Sequence, residues 1–182
     1  MSGGHGHVDH GSNKGVALLI SILALVLAFS ETLGKSAQTA ALASHIEASN
    51  LWAFFQAKTI RQTVMRTAAE EMAAANPGDA AKKQIETWKK TAERYQSEPE
   101  TGEGRKELAA RAKAAEDSYK RSVAAYHHYE MASASVQIAI VLASASIITA
   151  MPALVWTAGV LGIVGVAFCG IGFFAPTAVH LF

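Results

Sequence analysis

Three histidines, His5, His7 and His10, lie within a glycine-rich segment at the N-terminus. Neutral imidazole is a good ligand for copper, nickel or zinc, so one hypothesis is a metal site in this segment. The alternative is weak, adventitious binding, because a flexible segment loses conformational entropy when it orders around an ion. No neighbouring residues are evident that would orient the imidazoles as they are oriented in dedicated sites.

A second candidate metal pair, His127 and Glu130, lies just before a long apolar run. Residues three apart share one face of a helix, so the two side chains could ligate a metal across an oligomer axis. Tyr126 and Tyr129 beside them favour another interpretation, a belt of amphipathic side chains at the boundary between water and lipid. The residue types are compatible with both interpretations.

The most distinctive cluster combines aromatic and basic residues: Trp52, Phe54, Phe55, Lys58 and Arg61. On a helix, Phe54 lies one turn from Lys58 and two turns from Arg61, which permits a cation–π contact. The cluster is a candidate docking surface for another chain or for a lipid headgroup. The alternative is packing against a neighbouring helix, because large aromatic side chains dominate burial at such contacts.

The sequence contains no motif for catalysis or nucleotide binding, since it has neither a phosphate-binding glycine loop nor a nucleophile elbow. Its single cysteine, Cys169, excludes an internal disulfide and a zinc site with several thiolate ligands. The net charge of +1 at pH 7 is too small to indicate a nucleic-acid partner. We therefore expect no enzyme, no cofactor and no bound nucleic acid.

The distribution of charge predicts the elements that position these residues. Of the 182 residues, 51% are hydrophobic and 17% are charged, whereas soluble domains average about 25% charged. All but one of the 16 basic residues lie between Lys35 and Arg121. Long runs without basic residues lie on either side, at 16–33, 131–151 and 153–175. Because roughly 20 apolar residues span the hydrocarbon core of a bilayer, each run is a candidate membrane helix.

We therefore expect an all-α membrane protein with three transmembrane helices. A long helical-hairpin insertion, coiled-coil-like and outside the membrane, would lie between the first and second of them. The predicted boundaries are a flexible tail at 1–14, transmembrane helix 1 at 15–34, the insertion at 35–134, transmembrane helix 2 at 135–151, transmembrane helix 3 at 152–176 and a short tail at 177–182. A cleavable signal peptide ending near Ser30 is the alternative for the first run.

The insertion is rich in strong helix formers and has two predicted breaks, at 76–79 and at 97–104. These breaks predict helices over 35–75, 79–96 and 104–151. A long antiparallel hairpin with its tip at Pro77 and Gly78, and with a break in the descending arm, matches these lengths. The alternative is a compact three-helix bundle.

Coiled-coil-like spacing predicts the faces along which the helices of the insertion pack. The predicted positions are Leu42, Ile46, Ser49, Ala53, Ala57, Ile60, Val64 and Ala68 on the first helix, Ile85, Trp88, Ala92 and Tyr95 on the second, and Leu108, Ala112, Ala115, Tyr119, Ser122, Tyr126, Tyr129 and Ser133 on the third. Small residues at these positions bury little area, so we expect neighbouring chains to contribute to the packing.

Two features of the spans have predicted packing roles. Gly159, Gly162 and Gly165 make the third run glycine-rich, and small residues let membrane helices approach closely, within one chain or between chains. Glu31 lies near the end of the first run, four residues before Lys35, which predicts an ion pair between them.

Two segments carry a resemblance to a known family. Residues 50–62 (NLWAFFQAKTIRQ) resemble the tryptophan–aromatic–Gln-Ala-Lys run of the bacterial domain-of-unknown-function family 4337. Residues 126–130 (YHHYE) and 137–144 (QIAIVLAS) are similar to the segment that enters the second span of that family. The resemblance covers residues 16–172 and implies three membrane helices with a helical insertion, but no activity. The His- and Gly-rich tail departs from the acidic tails that are usual there.

Flanking positive charge predicts orientation and location. Lys35, Lys120 and Arg121 flank the insertion, which places it in the cytoplasm and the N-terminal tail in the periplasm of a bacterial inner membrane. A periplasmic insertion is the alternative, because long loops obey this rule poorly.

Three hypotheses about function remain. The first is a self-associating scaffold or accessory subunit in the bilayer, as a homo-oligomer or within a larger membrane complex. The second is a channel or its regulatory subunit, with Glu31, Ser144 or Thr149 along a water-filled path. The third is a metal-binding protein that uses the histidines.

Overall fold

The described part of the chain is entirely helical. The computed structural model describes residues 10–75 and 78–179, so His5, His7 and the predicted tip at Pro77 lie outside it. Within these ranges there are four helices and no strands: α1 (His10–Ala74), α2 (Asp79–Gln96), α3 (Arg105–Thr149) and α4 (Pro152–Phe174). Helices α2 and α3 begin and end within two residues of their predicted positions.

Helix α1 differs from its prediction, because it runs without a break through Gly34 and Lys35. A single glycine inside a helix costs about 1 kcal/mol relative to alanine, which a long run of good helix formers outweighs. The change from apolar to charged residues at this point therefore marks a change of polarity and not the end of a helix.

Contacts divide the chain into two units. In its described part, the first unit comprises residues 10–40 and 121–179. Its core consists of small and branched apolar side chains: Val16 and Leu23 from α1, Val136, Ala139 and Ala143 from α3, and Ala158 from α4. Three helices of the described chain are long and apolar enough to cross a membrane. Large apolar side chains on their outer surfaces, such as Trp156, Ile148 and Phe174, are 78–87% exposed.

The connection between α3 and α4 is a tight turn of two residues, as the spacing of the apolar runs predicts. Ala150 adopts a left-handed conformation with φ of 54°, and its N–H donates to the carbonyl of Ser146 at 2.9 Å. This geometry is a common way to end a helix. Pro152 then begins α4, where its missing N–H removes no helical hydrogen bond.

The second unit, residues 41–120, has a separate small core. Its members are Ala48 and Leu51 from α1 and Leu108, Ala112 and Ala115 from α3, with Trp52 and Phe55 packed against them. Helix α2 buries Ile85 and Ala92, as its spacing predicts. The same helix contacts α1, because the side-chain amide of Gln62 donates to the carbonyl of Ala92 at 2.9 Å.

The predicted packing face of α1 is wrong within this unit. The buried positions are Ala41, Ala48, Leu51, Lys58, Gln62 and Ala69. The predicted stripe is exposed instead, and its large side chains Leu42, Ile46, Ile60 and Val64 are 51–65% exposed. The prediction followed apolarity alone, whereas the face that packs on the chain includes a lysine and a glutamine with partners for their polar ends.

Candidate functional site

The aromatic and basic cluster lies within the second unit, where it joins α1 to α2 and α3. Lys58 is only 6% exposed. Its Nζ lies 5.3 Å from the ring centre of Phe54 and 5.2 Å from that of Tyr95. The carboxylates of Glu98 and Glu103 lie 3.8 and 3.6 Å from the same atom. The rings and carboxylates compensate for the water that this ammonium group loses.

A second cation extends this cluster. The guanidinium carbon of Arg105 lies 5.0 Å from the ring centre of Phe55. One of its terminal nitrogens donates to the side-chain carbonyls of Gln62 and Gln96. Because Gln62 also donates to α2, these side chains fasten the start of α3 to both preceding helices. The arrangement stabilises packing and brings no nucleophile or general base to an open cavity.

The remaining members of the predicted cluster have different environments. The indole Nε1 of Trp52 donates to the carboxylate of Glu116 at 2.7 Å, and its ring packs edge-on against Phe55. A groove of about 420 Å³ lies beside this pair, with His45 and Gln56 among its lining residues. Arg61 is exposed on the outer surface.

The loop between α2 and α3 is held by Glu107, in the first turn of α3. Its carboxylate accepts hydrogen bonds from the hydroxyl of Ser97 at 2.6 Å and from the backbone N–H of Glu98 at 3.1 Å. Gly104 lets the loop approach closely, since a Cβ there would lie 2.4 Å from the backbone nitrogen of Glu98. The hydrogen bond from Ser97 is the main cause that lowers the pKa of Glu107 below its usual value of 4.5.

This lowered pKa predicts an acid-dependent loss of stability. A carboxylate with a depressed pKa in the folded state stabilises the fold above its unfolded-state pKa, and the contribution disappears as pH falls through the folded pKa. We expect Glu107→Gln to be less stable than the wild type at pH 7, with the difference shrinking below about pH 4.5. Urea unfolding followed by tryptophan fluorescence between pH 3 and pH 7 measures this difference. Exposed Glu100→Gln is the control, and an unchanged gap at pH 3 would contradict the assignment.

In the first unit, the glycines of α4 divide into two groups. A Cβ at Gly162 would lie 2.6 Å from Leu23 Cδ2 on α1, and one at Gly165 would lie 2.5 Å from Val136 Cγ2 on α3. Gly159 has no such neighbour within 4 Å. Of the three predicted interaction glycines, Gly162 and Gly165 therefore serve packing within the chain, whereas Gly159 faces open space.

His128 is a buried residue that the sequence-based interpretation did not separate from its neighbours. It is 0% exposed, and its Nε2 lies 3.1 Å from the carbonyl oxygen of Pro176, just after α4. Because a carbonyl oxygen only accepts hydrogen bonds, Nε2 carries a proton in this pairing. Among the described residues, Nδ1 has no hydrogen-bond partner. The ring also stacks on Phe168, so His128 ties the end of α4 to α3.

The residues proposed for metal binding do not converge in the described ranges. His127 Nδ1 lies 3.7 Å from a carboxylate oxygen of Glu130, which places the two on one face as predicted. Within residues 10–75 and 78–179, no three His, Cys, Asp or Glu side chains form a group that could hold a metal ion. His10 begins α1, and no side-chain position is described for it.

The polar residues of the spans form local contacts. Glu31 accepts a hydrogen bond from Gln137 at 3.5 Å. The predicted ion pair with Lys35 is wrong, because it is absent among the contacts of the described residues. The hydroxyls of Ser144 and Thr149 donate to carbonyls of their own helix. Ser30 and Ser133 share a hydrogen bond of 2.9 Å between α1 and α3.

Together, these features define a helical protein with three helices of membrane-spanning length and a smaller unit rich in charged residues. The family model of a domain of unknown function, DUF4337, matches residues 12–175. The chain therefore belongs to the DUF4337 family, which confirms the resemblance of its two sequence segments. No curated protein and no solved structure matches the chain.

Proposed function

We propose that this chain is a self-associating structural or accessory subunit of a bacterial inner membrane, alone or within a larger membrane complex, and that it has no catalytic role. The observation that carries the proposal is the exposed apolar surface of α1 in the second unit. Leu42, Ile46, Ile60 and Val64 are each more than half exposed in a unit that is otherwise rich in charge. Contiguous exposed apolar surface is typical of sites that bind another protein.

The proposed architecture has three membrane-crossing helices and a helical hairpin formed by residues 35–134. Contacts within the second unit support an antiparallel arrangement there, because Gln62 of α1 contacts Ala92 of α2 while Trp52, further back along α1, contacts Glu116 of α3. Basic residues flanking the insertion favour a cytoplasmic position for it and a periplasmic one for the N-terminus.

Measurement of the mass of the full chain in mild detergent and in lipid nanodiscs tests this proposal. We expect a discrete multimer whose population increases with protein concentration, because a self-associating surface obeys mass action. A chain that remains monomeric at the highest attainable concentration in both environments would overturn the proposal.

A further inference from the structure

The exposed surface of α1 has a regular order, and we name its seven residues the α1 stripe. Its members are Leu42, Ile46, Ser49, Ala53, Ala57, Ile60 and Val64. Positions 42, 46 and 49 recur eleven residues later at 53, 57 and 60. A repeat of eleven residues corresponds to 3.67 residues per turn, close to the 3.6 of a straight helix, so these side chains remain on one side of α1. The stripe can therefore meet another straight helix along its whole length.

The order of the stripe is symmetric about Ala53. Leu42 and Val64 lie eleven residues before and after it, and Ile46 and Ile60 lie seven residues before and after it. Ser49 and Ala57 complete the symmetry at four residues. If two copies of α1 pack antiparallel about Ala53, the large side chains face each other at both ends. The small side chains then meet in the middle, where they allow the two backbones to approach.

Two charged residues beside the stripe are also placed for an antiparallel pair. Glu47 and Arg61 are both exposed and lie fourteen residues apart, almost four full helical turns, so they flank the same side of the stripe. In an antiparallel pair about Ala53, Glu47 of one copy lies about 3 Å along the axis from Arg61 of the other. In a parallel pair the two levels would be about 21 Å apart. The opposite charges therefore favour the antiparallel order.

We propose that the occupant of the α1 stripe is the α1 stripe of a second copy of this chain, packed antiparallel with a two-fold axis at Ala53. The pairing buries Leu42 against Val64 of the other copy and Ile46 against Ile60 of the other copy. This inference rests on the proposed self-association and adds its surface and its orientation.

Disulfide cross-linking tests the orientation. The full chain carries Cys169→Ser, and Ile46→Cys and Ile60→Cys are introduced singly. Detergent is the medium, because it lets two copies meet in either orientation. We expect dimers when the two variants are mixed and none when Ile46→Cys is oxidised alone, because its two copies would lie about 21 Å apart, beyond the reach of a disulfide. Ala53→Cys links to itself in either orientation, and exposed Ala114→Cys on α3 is the negative control.

The outcomes distinguish this inference from the proposed function. Self-linking of Ile46→Cys would overturn the antiparallel order in favour of a parallel one. A multimeric mass without cross-links at any stripe position would overturn the inference and leave the proposed self-association intact. Protection of the stripe cysteines from a water-soluble maleimide without cross-linking would point to lipid or to a different protein, and would also overturn the inference. A monomer would overturn both.

Charge exchange gives an independent test that needs no cysteine. Glu47→Arg and Arg61→Glu should each weaken dimerisation by about fivefold, the scale expected for two exposed ion pairs per dimer. The double variant should restore the wild-type dissociation constant, because it exchanges the signs of both partners. Lys113→Glu, an exposed charge change on α3, is the control. Additive losses in the double variant would overturn the pairing.

Discussion

Replacing Gly165 with leucine is expected to detach α4 from α3 and to lower the melting temperature of the full chain in detergent. A Cβ at this position would lie 2.5 Å from Cγ2 of Val136 and 3.2 Å from the carbonyl oxygen of Ala132. Valine has little rotamer freedom in a helix, so it cannot turn away. Insertion of a larger side chain into such a packed contact costs about 3 kcal/mol, and more where the backbone must shift.

Differential scanning fluorimetry, with Trp156 on α4 among the reporters, measures this effect. Gly159→Leu on the same helix is the matched control, because nothing lies within 4 Å of a Cβ at that position. We expect only the Gly165 variant to lose stability at low protein concentration. Equal losses in both variants would show that these glycines act between chains and not within one.

The second large effect is expected for Leu108→Ala in the second unit. Leu108 is 0% exposed and packs in the small core with Ala48, Leu51 and Ala112. Its other neighbours are mostly alanines, which cannot extend to fill the space that a truncated leucine leaves. We therefore expect a loss of about 2–5 kcal/mol in the free energy of unfolding, the range for buried leucines.

Chemical unfolding of the full chain in detergent tests this loss, with Trp52 as the reporter in a background of Trp88→Phe and Trp156→Phe. Leu42→Ala is the control at a protein concentration where the chain is monomeric, because Leu42 is 60% exposed. Its loss should stay within about 0.5 kcal/mol, as for surface substitutions in general. A similar loss in both variants would contradict the position of this core.

The candidate site was predictable in part from its residue types. The contact between Phe54 and Lys58 follows from their spacing of four on one helix, and it is present. Its other partners, Tyr95, Glu98 and Glu103, come from α2 and from the loop after it, so spacing along α1 does not predict them. A signal for the buried face of α1 was available in the seven-residue spacing of positions 41, 48, 55, 62 and 69.

The sequence by itself determined the helices and the three apolar runs of membrane-spanning length. Hydropathy and helix propensity are local properties, and the breaks near positions 78 and 100 follow from proline, glycine and asparagine within a few residues. Only the tertiary structure decided which face of α1 packs on its own chain and which glycines of α4 face a neighbour. Those choices depend on residues far along the chain, such as Val136 opposite Gly165 and Ala92 opposite Gln62. A buried lysine or glutamine is stable only where such distant partners complete its contacts.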